Sequence, residues 1–156
     1  MEIKDAEALL AALSPKERQR VLEHRVRQAA GKIPDFVFAL AYVIAVPANV
    51  HSMTQVRSGT MLASTTRLIM LETDGGTITV GYGDVARITM IGGTKKLFGG
   101  YNRAALLITA RNGDLDEWTI GESGAWGGLV AARIQQAHGE YVLSHGSEKG
   151  DGSEQL

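Results

Sequence analysis

Gly59-Thr60-Met61-Leu62-Ala63-Ser64-Thr65-Thr66-Arg67-Leu68-Ile69-Met70-Leu71-Glu72-Thr73-Asp74-Gly75-Gly76-Thr77-Ile78-Thr79-Val80-Gly81-Tyr82 is the stretch that decides the fold. Thr60 to Ser64 and Arg67 to Glu72 are short apolar runs parted by a tight break at Thr65-Thr66, the pattern of a strand pair. Asp74-Gly75-Gly76 is a turn signal, because glycine tolerates the positive φ of hairpin turns, and Thr77 to Tyr82 forms the next strand.

The same grammar extends both ways. Upstream, Val50 to Arg57 reads as a strand ended by a turn at Ser58-Gly59. Downstream, Gly83-Asp84 leads into Val85 to Ile91, where Val85, Ile88 and Met90 share a face and a shift around Ala86-Arg87 predicts a bulge. Gly92 to Gly100 is a loop, and Arg103 to Ala110 and Leu115 to Ile120 flank the turn Arg111-Asn112-Gly113-Asp114, for seven strands in all. Connections this short favour antiparallel neighbours. After Gly121, the residues Trp126, Leu129, Val130, Ile134 and Ala137 fall on one side of a helix, with Arg133 at its margin, and that side must cover the sheet.

Before the strands the pattern is helical. Ala6, Leu9, Leu10 and Leu13 mark one face of a helix over Asp5 to Leu13. Ser14-Pro15-Lys16-Glu17 starts a second one with a capping hydroxyl, proline at the first helical position and glutamate three residues on. Its stripe of Val21, Leu22, Val26 and Ala29 predicts a helix running to about Ala30, stopped by Gly31. Phe36 to Val46 has the length of a helix and the β-branched content of a strand; a short buried helix ending before Pro47 is expected. Ser144 to Leu156, rich in Gly, Ser and charge, is expected to be disordered. The chain thus divides into a helical extension over 1–47, a β domain over 48–142 and a tail over 143–156.

With 156 residues the chain can bury a real core. The absence of cysteine removes disulfides, thiolate metal sites and cysteine nucleophiles and fits a reducing, cytoplasmic setting. Sixteen Lys and Arg against seventeen Asp and Glu leave a net charge of −1, so no global field draws nucleic acid or anionic membrane. The start, Met1 to Asp5, lacks the basic-then-apolar order of a secretory signal, and Phe36 to Val46 is far short of the roughly 20 residues of a transmembrane helix.

Three segments carry a family likeness: Gly59 to Ile69, then Tyr82-Gly83-Asp84-Val85-Ala86-Arg87-Ile88, and finally Leu106-Leu107-Ile108 before Trp126 to Ile134. In order and spacing they resemble the bacterial YokE-like branch of the pleckstrin-homology (PH) superfold, over roughly residues 50 to 138. Ser64-Thr65 departs from the commoner threonine followed by Asn or Asp at that turn. The resemblance implies a mainly β fold with α elements, a seven-stranded antiparallel, partly open barrel capped by a C-terminal helix and preceded by helical residues. It also implies a non-enzymatic module that binds lipid, peptide or another copy of itself, without a cofactor.

Candidate chemistry is sparse. In Gly92 to Gly100, Lys95, Lys96, Leu97 and Phe98 are the candidate contact residues for an anionic membrane, while the ordinary fate of Leu97 and Phe98 is to pack back onto the barrel. The loop is no phosphate loop, since Gly99 is followed by Gly100-Tyr101 and not by Lys and a hydroxyl residue. Lipid-binding PH domains place basic residues around the first hairpin, where only Arg57 and Arg67 stand, so phosphoinositide recognition is poorly supported.

Gly121-Glu122-Ser123-Gly124-Ala125 nearly matches the nucleophile elbow of serine hydrolases but breaks at Ala125, and Ser123 is expected to cap the helix. His24, His51, His138 and His145 have no metal-site spacing and are expected at the surface. Asp114, Asp116 and Glu117 are expected to be solvated at a hairpin end. Tyr82, Tyr101 and Trp118 lack a basic surround for stacking nucleic acid and are expected in the core or at its rim. The expectation is a cytoplasmic protein-binding or self-associating module using strand edges or the N-terminal helices, with lipid binding by the 92–100 loop as the alternative.

Overall fold

The computed structural model describes residues 3–48, 56–93, 97–100, 102–121 and 124–154, excepting the side chains of residue 3, of 124–125 and of 146–154. Seven strands form one antiparallel sheet: β1 (Val37–Pro47), β2 (Arg57–Ser64), β3 (Arg67–Glu72), β4 (Thr77–Gly81), β5 (Val85–Ile91), β6 (Ala105–Ala110) and β7 (Leu115–Ile120). Their order is β4-β3-β2-β1-β7-β6-β5, which leaves β4 and β5 as the two edges of a curled, unclosed sheet. The bulge expected near Ala86-Arg87 is there, as a register shift between Val85 and Arg87 against β6.

The expected buried helix over Phe36 to Val46 is instead β1, the central strand, paired to both β2 and β7. Ala39, Ala41, Val43 and Ala45 face the barrel interior, whereas Val37 and Leu40 face a second apolar cluster on the outer side. A strand covered on both faces reads as a continuous apolar run, so the alternation that marks half-buried strands is missing. The turn expected at Ser58-Gly59 is also absent. Both residues lie within β2, opposite Ile44 and Val43. Gly59 is required there by close approach: a Cβ would stand 2.1 Å from the Leu71 carbonyl oxygen. Most of the expected strand over Val50 to Arg57 lies outside the described residues, and Arg57 opens β2.

The N-terminal extension is α1 (Ile3–Ala11), α2 (Pro15–Arg20) and α3 (Glu23–Ala30). The single helix expected from Ser14 to Ala30 is broken at Val21, whose backbone is extended, and at Leu22, whose N–H donates to the Thr60 hydroxyl at 2.8 Å. The break turns Val21 and Val26 into the same apolar layer as Leu10 and Ala6. The predicted capping box holds, with Ser14 Oγ accepting from the Glu17 N–H and Glu17 accepting from the Ser14 N–H. This layer packs on the outer face of the sheet against Leu62, Ile69 and Leu71.

α4 (Gly124–Glu154) closes the barrel and runs past position 143, where the composition predicts a disordered tail. Its buried seam is Val130, Ala131, Ile134, Ala137 and His138. Leu129, expected in that seam, is 72% exposed, because the helix is rotated so that its neighbour Val130 takes the inward position. Trp126 is half-buried and touches both apolar clusters. His138, expected at the surface, is buried, with its Nε2 3.2 Å from the Val85 carbonyl.

Candidate functional site

The two sheet edges are treated differently. On β5, α4 supplies polar side chains: Gln135 Oε1 accepts the Met90 N–H at 2.9 Å, and His138 Nε2 reaches the Val85 carbonyl. Tyr82 holds His138 from below by an edge-on ring contact and donates its own hydroxyl to the Ser64 carbonyl at 2.7 Å. Burial keeps the Tyr82 phenol well above the usual tyrosine range, so it stays a donor. β4 has no such cover among the described residues; it pairs with β3 alone, from Leu71↔Thr77 to Arg67↔Gly81. An edge strand of this kind presents a row of unpaired backbone donors and acceptors.

The alternation Thr77-Ile78-Thr79-Val80 sends different chemistry to the two faces of that edge. Inward, Ile78 and Val80 border a cavity of about 240 Å³ with Ala45, Trp118, Arg57 and Asp116, at the mouth of the barrel. The Asp116 carboxyl is raised above the usual carboxylate range, first by burial, then by Asp114, with Arg57 opposing. Asp116 is therefore not the freely solvated group its hairpin position predicts, whereas Asp114 is exposed.

Outward, Thr77 and Thr79 border a cleft of about 340 Å³ between the sheet and α3, floored by Ile69 and Leu71 and walled by Arg25 and Lys32. Arg67 also lines it, paired with Asp35, and no carboxylate lines it. Arg25 donates to the Glu72 carbonyl at 2.6 Å and to the Gly76 carbonyl and Thr77 hydroxyl at 3.1 Å each, so none of these partners neutralises its charge. Lys32 is exposed and makes no ion pair among the described residues. The sequence singled out none of these as a group, because the cleft exists only where the N-terminal layer meets β3 and β4.

The 92–100 loop is the second candidate. Leu97 is 90% and Phe98 97% exposed, so they do not pack back onto the barrel as apolar residues ordinarily would. Gly92, Gly93, Gly99 and Gly100 all take positive φ, which brackets the tip with backbone that other residues rarely adopt. Lys95 and Lys96 lie outside the described residues, as do Glu122, Ser123, His51 and Tyr101. Tyr82 and Trp118 are buried, as expected of core aromatics, and His24 and His145 are exposed. Among the described residues no group of His, Asp and Glu is placed to hold a metal ion, and no helix is long and apolar enough to cross a membrane.

No protein-family model and no curated protein matches the chain. In three dimensions it is similar to the Vps36 N-terminal PH domain, at 12% identity and a TM-score of 0.53, over 71% of this chain and 83% of that one. It is also similar to the C-terminal domain of an unknown protein from Leishmania infantum, at 12% identity and a TM-score of 0.46, over 72% and 97% of the two chains. Seven antiparallel strands curled into a half-barrel, with a helix closing one end, are the PH-like fold, and this chain has it.

Proposed function

We propose that this chain is a non-catalytic, cytoplasmic PH-like module that binds a protein partner by pairing with its free sheet edge. The observation that carries this is the asymmetry of the two edges: α4 side chains meet β5 at the Met90 N–H and the Val85 carbonyl, while β4 pairs with β3 alone among the described residues. Main-chain pairing to such an edge supplies affinity, and the pockets beside it supply selectivity. Membership of the bacterial YokE-like branch is proposed on the three sequence segments quoted above.

Selection of binders from a random dodecapeptide library against the full chain tests this. Amide chemical-shift changes for the selected peptides are expected to cluster on residues 77–81. Changes clustered elsewhere, or no enrichment, refute the edge.

A second reading rests on its own observation, the exposure of Leu97 and Phe98 at the tip of a glycine-bracketed loop. With Lys95 and Lys96 beside them, these residues suit an anionic membrane surface, at about 1 kcal/mol per lysine and roughly 1.5 to 3 for each buried apolar side chain. Co-sedimentation with phosphatidylglycerol-containing vesicles should be lost in a Phe98→Ser/Lys95→Glu/Lys96→Glu variant; equal recovery of both proteins in the supernatant ends this reading.

A further inference from the structure

The edge reading leaves open what kind of strand β4 accepts, and the two cavities beside it answer that. We infer that the partner segment is an extended peptide with apolar side chains on one face and acidic side chains on the other. This rests on the proposed use of β4 and adds the chemistry of its ligand.

A strand added beside β4 continues the pleat, so its side chains alternate between the same two faces that β4 shows. Those directed inward meet the mouth formed by Ile78, Val80, Trp118 and Ala45, where apolar groups lose water, with Arg57 and Asp116 also on its lining. Those directed outward lie along the cleft that carries Arg25, Lys32 and Arg67. Of these three cations only Arg67 has a carboxylate partner among the described residues, Asp35. Arg25 is spent on carbonyls and a hydroxyl, which leave its charge unneutralised at the very start of β4. Carboxylates at alternate positions of the incoming strand complement that wall, and lysines there are repelled.

The same charge pattern selects against a second copy of this chain. Two β4 strands pairing antiparallel about a two-fold axis continue one sheet, so their outer faces lie on the same side. Each copy then carries its own Arg25 at the opposite end of the pair from the other's, and the outward residues of the incoming β4 are the uncharged Thr77 and Thr79. The β4 strand of a second copy therefore presents threonines, and no carboxylate of its own, to the wall that carries Arg25 and Lys32.

The test uses the full chain and three fluorescein-labelled nonapeptides followed by anisotropy at neutral pH and low salt. One alternates Val and Glu, one alternates Val and Lys, and one is the Val/Glu peptide with N-methyl groups at alternate backbone nitrogens. The Val/Glu peptide is expected to bind at least tenfold more tightly than the Val/Lys peptide, to weaken severalfold against Lys32→Glu, and to lose binding on N-methylation. Equal binding of the two unmethylated peptides overturns the acidic assignment while N-methyl sensitivity keeps the edge. Binding that survives N-methylation overturns both. No binding by any of the three overturns the inference, and the library selection then decides the edge separately. Lys32 is exposed and forms no described ion pair, so its replacement leaves the fold intact; an unchanged melting temperature verifies this.

Discussion

Replacing Leu10 by Ala tests whether the N-terminal helices and the barrel are one cooperative unit. Leu10 is fully buried, between α1 and the outer face of the sheet, in a cluster that includes Leu40, Leu62, Ile69 and Leu71. Those strand residues alternate with Ala41, Met61, Ala63, Leu68 and Met70, which line the interior beneath α4. One layer cannot dissolve without exposing the other face of the same three strands. Truncating a buried leucine to alanine costs about 2 to 5 kcal/mol. With a urea dependence of about 2 kcal/mol/M for a domain of this size, a cost of about 3 kcal/mol lowers the unfolding midpoint by about 1.5 M. The chain has two tryptophans, so a Trp126→Phe background leaves Trp118, buried inside the barrel, as the only reporter. Its fluorescence midpoint is expected to fall by that amount and to coincide with the far-ultraviolet circular dichroism transition. A Trp118 midpoint that stays put while helical signal melts earlier refutes the coupling. Deleting residues 1–30 is the stronger form. It uncovers Val37, Leu40, Leu62, Ile69 and Leu71, at about 1.5 to 3 kcal/mol each, a total comparable to the whole stability of a small domain, so the remainder is expected to aggregate.

Gly59→Ala places a methyl group 2.1 Å from the Leu71 carbonyl oxygen and 2.8 Å from the Glu72 Cα, both backbone atoms, and is expected to cost at least about 2 kcal/mol; an unchanged thermal midpoint refutes the close approach. Tyr82 is held neutral in the fold, its pKa raised by burial, whereas in the unfolded chain it ionises near pH 10. Stability is therefore full below pH 10 and falls as pH rises through that value toward the folded pKa. Tyr82→Phe is expected to cost about 1 kcal/mol at neutral pH through the lost bond to Ser64 and to flatten the alkaline fall, checked by urea midpoints between pH 8 and 11. Asp116, whose pKa is raised mainly by burial, stabilises the fold most when protonated and loses that contribution as pH rises through the carboxylate range. Asp116→Asn is accordingly expected to raise the urea midpoint at pH 7 and to leave it unchanged near pH 3; a lowered midpoint at pH 7 refutes the burial effect.

Local chemistry made much of this fold legible. The turn residues Asp74-Gly75-Gly76 and Arg111 to Asp114, the capping box at Ser14 and Glu17, and the bulge near Ala86 all sit where short-range rules place them. The misreadings share one cause, which is tertiary cover. Phe36 to Val46 reads as helical because a strand buried on both faces shows no alternation, and the second cover comes from the N-terminal helices α1 to α3. Ser58-Gly59 looked like a turn because glycine serves turns and close strand approach equally. Val21-Leu22 looked helical because the interruption is set by Thr60, which captures the Leu22 N–H from across the sheet. The described strands still number seven because β1 stands where a helix is expected, while the strands expected over Val50 to Arg57 and Thr60 to Ser64 share the single strand β2 among the described residues. The outer cleft had no sequence signature at all: Arg25, Lys32, Arg67 and Thr77 are scattered along the chain and meet only after α3 docks.

That docking also bears on how an edge as short as β4 is kept ready for a partner. A five-residue strand with one neighbour pays most of its ordering entropy alone and frays easily. Arg25 ties its start by bonds to the Glu72 and Gly76 carbonyls and the Thr77 hydroxyl, and the Asp74 carboxylate accepts the Gly76 N–H within the turn, which holds that carboxyl below its usual range. The strand is thus ordered before anything binds, and an incoming peptide has only its own entropy to lose. The N-terminal layer does two things with one residue: Arg25 fixes the edge in place and leaves its charge at the entrance of the cleft. Arg25→Gln separates them, since glutamine keeps a donor and loses the charge. If preorganisation dominates, amide exchange across residues 77–81 accelerates and both the Val/Glu and Val/Lys peptides weaken together. If charge dominates, exchange is unchanged and the preference between the two peptides collapses.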